Sequence, residues 1–400
     1  MKLNETPSGS RIHIAFFGRR NAGKSSLVNA LTSQQVSLVS AVKGTTTDPV
    51  QRPMELLPLG PAVIIDTPGT DDEGELGMLR VERTRETLSR TDIAVLAADA
   101  AQGLSAQDEE WTAEFSARKI PFIVAYNKAD LLPEIPRNTK ENEVYVSALT
   151  GWNMDALREK IGSFAGTLKK PRRLLEGLIS AGDMGVLVIP VDESAPKGRI
   201  ILPQQQAIRE ILDAHASFAA CRPEELPQTL SLLSKKPALV ITDSQAFASV
   251  ARNTPPDIPL TSFSILLARA KGDLPLLVRG AQFLSSLKDG DTVLVSEACT
   301  HRRQCRDIGT VQIPALVRKF SGAQPRFVFS SGAEFPQQLE EYALIIHCGG
   351  CMITETEMKS RLARAQKAGT PIVNYGIALA QMNGILERSI APFRAELEVQ

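Results

Sequence analysis

Residues that could bind phosphate lie close to the N-terminus, in the run Gly18–Ser25. This run has the spacing GxxxxGKS, and it follows an apolar stretch, Arg11–Phe17, that predicts a buried strand. A strand, a glycine-rich loop and a helix are the context that this motif requires. Backbone N–H groups of such a loop hold phosphate oxygens, Lys24 reaches the β- and γ-phosphates, and Ser25 ligates Mg²⁺. The phosphate-binding residues predicted here are Gly18, Asn21, Ala22, Gly23, Lys24, Ser25 and Ser26.

A carboxylate and a threonine-rich segment predict how Mg²⁺ and the terminal phosphate are held. Asp66 and Gly69 belong to the segment DTPG, which follows an apolar strand pattern. In this position Asp66 contacts Mg²⁺ through water, and the backbone N–H of Gly69 senses the γ-phosphate. The segment GTTTD, residues 44–48, is where a Mg²⁺-ligating switch threonine is expected. Its candidates are Thr46, which we favour, and Thr45 or Thr47. The catalytic residues predicted are Lys24, Thr46, Asp66 and Gly69.

A second loop predicts that the nucleotide base is guanine. The motif Asn127-Lys128-Ala129-Asp130 follows an apolar run. Asp130 can accept both donors of the guanine N1/N2 edge, which adenine does not offer. Asn127 would tether N7 and the surrounding loops, and the stem of Lys128 would pack on the base. Further along the chain, a backbone N–H of the segment Ser147-Ala148-Leu149 can reach guanine O6. These features predict binding of GTP and GDP.

Cysteine and histidine residues cluster in the last third of the chain. They follow two predicted strands, Thr292–Ser296 and Ala343–Ile346, and open parallel sheets place ligand sites at such strand ends. Sulfur ligands select zinc, copper(I) or iron–sulfur clusters. From ligand chemistry alone, a closed zinc site with three cysteines and one histidine is slightly favoured over an iron–sulfur cluster. The candidate metal ligands are Cys299, His301, His347, Cys348 and Cys351. Cys305 lies nearby, and its role stays open.

The elements around these residues predict an α/β chain of three domains, since 400 residues exceed one ordinary core. We predict a P-loop GTP-binding domain over 1–170, a small α/β middle domain over 174–260, and a domain over 261–400. A helix is predicted over 205–218. Strands and helices alternate in the last domain, which predicts a mostly parallel, doubly wound sheet. Its predicted strands are Thr292–Ser296, Phe327–Phe329, Ala343–Ile346 and Pro371–Tyr375.

Composition narrows the classes of function. Lysine plus arginine number 45, and aspartate plus glutamate also number 45, so no basic excess suggests nucleic-acid binding. No apolar run reaches the roughly 18 residues of a membrane span. The first residues lack a secretory pattern, so a cytoplasmic location is expected. Five cysteines, an odd number, do not suggest a disulfide framework.

Residues 10–165 resemble the translation-factor-like GTPases, closest to the tRNA-modification GTPase and the Era and Der ribosome-assembly GTPases. Asn21 resembles the asparagine that ligates K⁺ in potassium-activated members; the alternative is a loop-capping side chain. Thr70 stands where Ras-like proteins carry the glutamine that positions water. The resemblance therefore implies that a bound K⁺ supplies the charge compensation that an arginine finger gives elsewhere.

The whole chain resembles the FeFe-hydrogenase maturation GTPases, the HydF family. The resemblance rests on C-x-H followed by H-C-x-x-C, behind a GTPase with GRxNAGKSS. It implies that Cys299, Cys348 and Cys351 hold a 4Fe–4S cluster, with His301 or His347 as an exchangeable fourth ligand. It further implies a homodimer, formed through the middle domain, that carries a transient two-iron precursor to apo FeFe-hydrogenase and works with radical-SAM maturation enzymes. Two alternatives are a GTPase with a structural zinc domain and a ribosome- or tRNA-directed GTPase.

Overall fold

The computed structural model describes most of the chain, in two compact units, Met1–Lys170 and Pro171–Gln400. The described residues are 8–33, 50–69, 83–168, 172–191, 200–298, 307–332 and 335–398. Seven residues named above lie outside these ranges, and they are Thr45, Thr46, Thr47, Thr70, Cys299, His301 and Cys305.

The first unit contains a six-stranded sheet in the order β2-β3-β1-β4-β5-β6. Its strands are β1 (Ile12–Phe17), β2 (Val50–Leu56), β3 (Gly60–Asp66), β4 (Ile93–Asp99), β5 (Phe122–Asn127) and β6 (Glu143–Tyr145). Only the β2–β3 pair is antiparallel among the strands that the structure describes. Its helices are α1 (Lys24–Ser33), α2 (83–88), α3 (Ala106–Ala117) and α4 (Met154–Ser163).

Helices cover both faces of this sheet, so its central strands are apolar on both sides. On β1, Phe16 belongs to one core with Leu27, whereas the ring of Phe17 lies on the other face. There the Phe17 ring is 5.4 Å from that of Trp111 and 5.1 Å from that of Phe115. The arrangement is that of a P-loop GTPase domain, as predicted.

The second unit contains two four-stranded parallel sheets, in the orders β10-β9-β7-β8 and β12-β11-β13-β14. The strands of the first are β7 (Met184–Val188), β8 (Ser217–Cys221), β9 (Leu239–Thr242) and β10 (Leu260–Ser262). The strands of the second are β11 (Thr292–Glu297), β12 (Arg326–Ser331), β13 (Leu344–His347) and β14 (Ile372–Asn374). The parallel sheet predicted for the last domain is therefore confirmed.

The helices of the second unit pack with both sheets into one continuous apolar core. They are α5 (Leu202–Asp213), α6 (Leu226–Leu232), α7 (Phe247–Asn253), α8 (Phe263–Lys271), α9 (Leu274–Gln282), α10 (Ile313–Ser321), α11 (Glu355–Lys367), α12 (Tyr375–Met382), α13 (Leu386–Ile390) and α14 (Arg394–Leu397). Polar contacts reinforce this core. The buried guanidinium of Arg269 lies 2.6 Å from a carboxylate oxygen of Glu396. Arg388 donates to three backbone carbonyls, one in the last turn of α7 and two in the segment that follows it.

Local differences from the predictions concern the middle domain. The helix predicted over 205–218 begins earlier, at Leu202, and ends at Asp213. His215 then adopts a left-handed backbone with φ 55°, and the next residues form the edge strand β8. The predicted helix extends beyond Asp213 because the sequence of β8 gives no strand signal. That strand is short and only half-buried, so it has no apolar run of its own. The boundary predicted between residues 260 and 261 falls inside β10.

Among the described residues, no helix is both long and apolar enough to cross a membrane.

Candidate functional site

The phosphate-binding loop follows β1 and enters α1 at Lys24, and its path requires glycine at two positions. Gly18 has φ 131°, and a Cβ there would lie 2.3 Å from the carbonyl oxygen of Ala97. Gly23 has φ 88°, and a Cβ there would lie 2.1 Å from Nδ2 of Asn127. Any side chain at either position would collide with a neighbouring strand or loop. The two glycines therefore fix the loop against the ends of β4 and β5.

The lysine of the loop is held inside it. Lys24 is 7% exposed, and its Nζ donates to the carbonyl oxygens of Gly18 at 2.8 Å and Arg19 at 2.7 Å. These contacts place the ammonium group within the ring of backbone that surrounds the phosphate site. A positive charge in this position favours anionic ligands at the N-terminus of α1.

The residues predicted to hold Mg²⁺ meet directly. The hydroxyl of Ser25 donates to Oδ2 of Asp66 at 2.5 Å, across the ends of α1 and β3. The other carboxylate oxygen of Asp66, Oδ1, is buried and has no hydrogen-bond partner among the described residues. Burial raises the pKa of Asp66, while the Ser25 hydrogen bond and Lys24 oppose that rise. A hydroxyl oxygen beside an unsatisfied carboxylate oxygen is a donor set that fits Mg²⁺.

The segment after Asp66 is anchored beside the phosphate loop. The hydroxyl of Thr67 donates to the carbonyl oxygen of Phe16 at 2.6 Å. A Cβ at Gly69 would lie 3.1 Å from the backbone of Arg20, so a side chain there would crowd the phosphate loop. The backbone of Gly69 is therefore adjacent to the place that phosphates would occupy.

The guanine-recognition residues join three loops. The amide of Asn127 donates to the carbonyl oxygen of Ala22 at 3.1 Å and accepts from the N–H of Ala148 at 3.0 Å. Lys128 takes a left-handed backbone with φ 63°, and its Nζ lies 2.7 Å from Oδ2 of Asp99. Asp130 is exposed and free to meet a base. The motif thus ties the phosphate loop to the loop at Ala148.

These loops surround a cleft of about 1010 Å³. The predicted site residues that line it are Asn21, Gly23, Lys24, Ser25, Ser26, Asp66, Gly69, Asn127, Lys128, Asp130 and Ala148. Gly18, Ala22 and Ser147 do not line it and instead shape the backbone behind it. Leu149, in the predicted segment Ser147-Ala148-Leu149, also lines the cleft and is 87% exposed. Sequence reasoning missed Arg20, which lines the cleft as well.

The second predicted site lies where the strand order reverses, between β11 and β13. The carboxyl ends of these neighbouring strands are joined by a hydrogen bond from the N–H of Cys348 to the carbonyl oxygen of Ser296, 2.9 Å long. In return, the N–H of Ala298 donates to Sγ of Cys348 at 3.1 Å. Ala298 is the residue before Cys299 in the sequence. Such a switch point is where open parallel sheets form a binding crevice.

The loop that carries Cys348 and Cys351 makes a tight turn. Gly350 has φ 65°, and a Cβ there would lie 2.3 Å from Cε of Met358. Cys348 and Cys351 are free thiols on either side of this turn. Burial raises the pKa of Cys348 to about 11. Hydrogen bonds from the N–H groups of Ala298 and Gly350 oppose that rise. Burial also raises the pKa of Cys351, and Lys271 opposes that rise. A coordinated cation reverses this preference and deprotonates a thiol outright.

His347 is directed away from the thiols, into the core. It is 1% exposed, and its Nδ1 lies 2.7 Å from the carbonyl oxygen of Cys348. Its Nε2 lies 3.1 Å from Nη1 of Arg361, which in turn pairs with Glu357 at 2.6 Å. Burial and Arg361 lower the pKa of His347 to about 3, so the ring is neutral. Nδ1–H therefore donates to the carbonyl and Nε2 accepts from the guanidinium, which leaves neither nitrogen for a metal in this arrangement.

Within the described ranges, no group of three or more histidine, cysteine, aspartate or glutamate side chains is arranged to hold a metal ion. The structure brings Cys348 and Cys351 together on one loop, and Cys299 and His301 fall outside those ranges. Sequence reasoning missed Lys271, which contacts this loop, and Arg361, which contacts His347 at the end of β13. Nothing in their local sequence marks either residue.

Three family models match the chain. Residues 13–128 match the model of the 50S ribosome-binding GTPase. Residues 174–272 match the hydrogen maturase F dimerization domain, and residues 275–392 match the hydrogen maturase F tetramerization domain. The last two models thus cover nearly all of the second unit.

Individual relatives match part of the chain. GTPase Der of Kosmotoga olearia is 33% identical over 189 residues, which are 42% of this chain and 42% of the relative. The tRNA modification GTPase MnmE of Heliobacterium modesticaldum is 34% identical over 217 residues, 51% of this chain and 43% of the relative. The chain therefore spans less than half the length of these relatives. A crystal structure of Aquifex aeolicus Era bound to GDP.AlF4- is 22% identical, with a TM-score of 0.33, and the match covers 60% of this chain and 97% of Era.

Proposed function

The chain belongs to the hydrogen maturase F family, and on that premise we propose that it is a GTP-hydrolysing scaffold for the two-iron cluster of FeFe-hydrogenase. It binds a 4Fe–4S cluster, accepts the two-iron precursor as cargo and delivers it to the apo-hydrogenase. The observation that carries this proposal is the contact between Sγ of Cys348 and the N–H of Ala298. It joins the strand end that precedes Cys299 to the loop of Cys348 and Cys351.

The GTPase domain supplies the nucleotide chemistry of this proposal. Lys24 stabilises the β- and γ-phosphates, Ser25 and Asp66 hold Mg²⁺, and the backbone N–H of Gly69 contacts the γ-phosphate. Mg²⁺ neutralises charge that develops on the transferred phosphate oxygens. We propose that Thr46 is a further ligand of Mg²⁺. GTP- and GDP-bound states would then differ in their affinity for cargo or partner, which is what a switch requires.

We expect hydrolysis to depend on K⁺. Asn21 lines the cleft with a left-handed backbone, φ 62°, which places it at the phosphate end of the site. A cation held there would offset negative charge on the phosphates, so replacing K⁺ with Na⁺ at constant ionic strength should slow GTP hydrolysis roughly tenfold or more. The Asn21→Ala variant should be slow in both salts. Equal rates for the wild type in K⁺ and Na⁺ would show that Asn21 is only a loop-capping side chain.

The Asp130→Asn substitution should change base selectivity. Its carboxylate accepts from the guanine N1/N2 edge, whereas an amide would place an N–H₂ group against those donors. We expect kcat/KM for GTP to fall roughly 100-fold and that for xanthosine triphosphate to rise, because a polar site rejects a mismatched partner strongly. Asp155→Asn on α4 is the matched control, since Asp155 is also exposed. Unchanged selectivity in Asp130→Asn would remove Asp130 from the base site.

Cluster binding rests on the thiols. We propose Cys299, Cys348 and Cys351 as the three thiolate ligands, and backbone N–H groups are directed at the sulfurs of Cys348 and Cys351. Three cysteines leave one iron of a 4Fe–4S cluster with an exchangeable position, which suits a scaffold that receives a two-iron unit. His301 is the candidate for that position. His347 acts instead as a positioning residue, because both of its ring nitrogens have protein partners.

Oligomerization of this chain is consistent with a scaffold role. The family models that match the second unit are those of a dimerization and a tetramerization domain. In the middle domain, β8 is an edge strand whose side chains are half-buried or exposed, and such an edge can pair with another strand. We propose a homodimer formed through the middle domain, with apo-hydrogenase and radical-SAM maturation enzymes as further partners. The zero net charge gives no support for a nucleic-acid partner.

An activation assay tests the proposal directly. The full-length protein, produced together with radical-SAM maturation enzymes, would be purified without oxygen and mixed with apo FeFe-hydrogenase. Hydrogen evolution should appear and should scale with the amount of protein added. A protein that carries its cluster but never activates the hydrogenase would contradict delivery of the precursor.

A further inference from the structure

Helix α8 lies along the cysteine loop, although the two belong to different family models. The helix falls within the dimerization-domain match, residues 174–272, and the loop within the tetramerization-domain match. A Cβ at Gly349 would lie 3.4 Å from Oγ of Ser264 and 3.4 Å from Cδ1 of Leu267. Ser264, Leu267 and Lys271 are spaced three and four residues apart, which puts them on one face of the helix. That face is the one against the loop.

Lys271, the last residue of α8, reaches the loop backbone. Its Nζ donates to the carbonyl oxygen of Ile353 at 2.8 Å and to that of Cys351 at 3.2 Å. A third carbonyl oxygen, that of Gly350, lies 3.5 Å away. An ammonium group has three donors and no acceptor, so one lysine can serve all three carbonyls. The ammonium group of Lys271, which belongs to the dimerization-domain match, is therefore attached to the backbone of the loop.

The attachment of Lys271 to these carbonyls also affects the N–H groups of the same peptide groups. Successive N–H and C=O groups of a tight turn point in different directions, so fixing the carbonyls also fixes the N–H groups. The peptide groups that contain the carbonyls of Gly350 and Cys351 carry the N–H groups of Cys351 and Met352, and both of these N–H groups are directed at the thiol of Cys351. Hydrogen bonds to ligand sulfur and nearby charge are the protein's means of setting the reduction potential of an iron–sulfur cluster.

We propose that Lys271 is a positioning residue of the cluster site, which orients the loop of Cys348 and Cys351 and raises the reduction potential of the cluster. The inference rests on the proposed binding of a 4Fe–4S cluster. The ammonium group favours the reduced cluster, because reduction adds negative charge next to it. Because Lys271 ends α8, the middle domain contributes directly to the surroundings of the cluster.

The test compares reduction potentials of reconstituted full-length proteins. Lys271→Met removes the charge and the three donors, Lys271→Gln removes the charge but keeps a donor, and Lys271→Arg keeps the charge. Lys367→Met, at the exposed end of α11, is the control with the same change in net charge. Redox titrations followed by electron paramagnetic resonance should give a lower midpoint potential for the Met and Gln variants. The Arg variant and the control should stay close to the wild type.

Loss of iron to a chelator supplies a second readout. We expect it to be roughly tenfold faster in Lys271→Met, the size of effect usual for residues that support metal ligands. Wild-type potentials and release rates in both Met and Gln variants would overturn the inference, even if their melting temperatures fell. If Lys271→Met does not fold, the Gln and Arg pair decides the role of the charge. A wild type that binds no cluster would instead overturn the proposed function itself.

Discussion

The Lys24→Ala substitution is expected to reduce GTP turnover by roughly 100-fold or more, since it removes the charge that stabilises the β- and γ-phosphates. In the structure the ammonium group lies inside the loop, bound to the carbonyl oxygens of Gly18 and Arg19. Alanine supplies neither the charge nor these hydrogen bonds. The measurement is steady-state release of phosphate from GTP in the presence of Mg²⁺ and K⁺.

Two controls separate loss of chemistry from loss of folding. Lys140→Ala, an exposed lysine of the same unit, should keep wild-type turnover. Lys24→Ala should still bind the wild-type amount of iron, because the cysteine loop belongs to the other compact unit. Turnover within about threefold of the wild type would contradict the role given to Lys24, since a phosphate-stabilising charge is worth far more.

The Cys348→Ser substitution is expected to reduce bound iron roughly tenfold or more, because a hydroxyl is a poor replacement for a soft thiolate ligand. Serine would keep the size of the side chain, and its oxygen could still accept the N–H of Ala298. Folding should therefore survive while the cluster is lost. Iron and sulfide analysis after anaerobic reconstitution provides the measurement.

The matched control is Cys221→Ser, since Cys221 lies on β8 in the other sheet of the same unit. It should bind as much iron as the wild type. GTP turnover of Cys348→Ser should not change. Equal iron content in Cys348→Ser and wild type would mean that this thiol is not a ligand.

Much of the nucleotide site could be predicted because its signals are local. The strand, loop and helix around Gly18 and Lys24 are contiguous, so the motif and its structure occur together. The apolar runs that end at Ser296 and Ile346 likewise predicted β11 and β13. The confirmed GTPase fold and parallel sheets follow from such runs, since strands covered by helices on both faces are apolar throughout.

The remaining features depend on contacts between distant residues. The orientation of His347 is set by Arg361, one helix further along the chain, and its position beside Cys348 alone suggested a ligand. Lys271 reaches the loop from another domain, and no local pattern predicts this. The helix predicted over 205–218 includes the first two residues of the edge strand β8, because the small residues of that strand carry little periodic signal.

The central claim is that this GTPase-containing chain holds an iron–sulfur cluster on its cysteine loop. The most direct test is iron, sulfide and zinc analysis of the full-length protein, purified and reconstituted without oxygen, together with low-temperature electron paramagnetic resonance after reduction. The account predicts about four irons and about four sulfides per chain and the signal of a reduced 4Fe–4S cluster. One tightly bound zinc per chain, with no paramagnetic cluster, would contradict it and would favour a GTPase with a structural zinc domain.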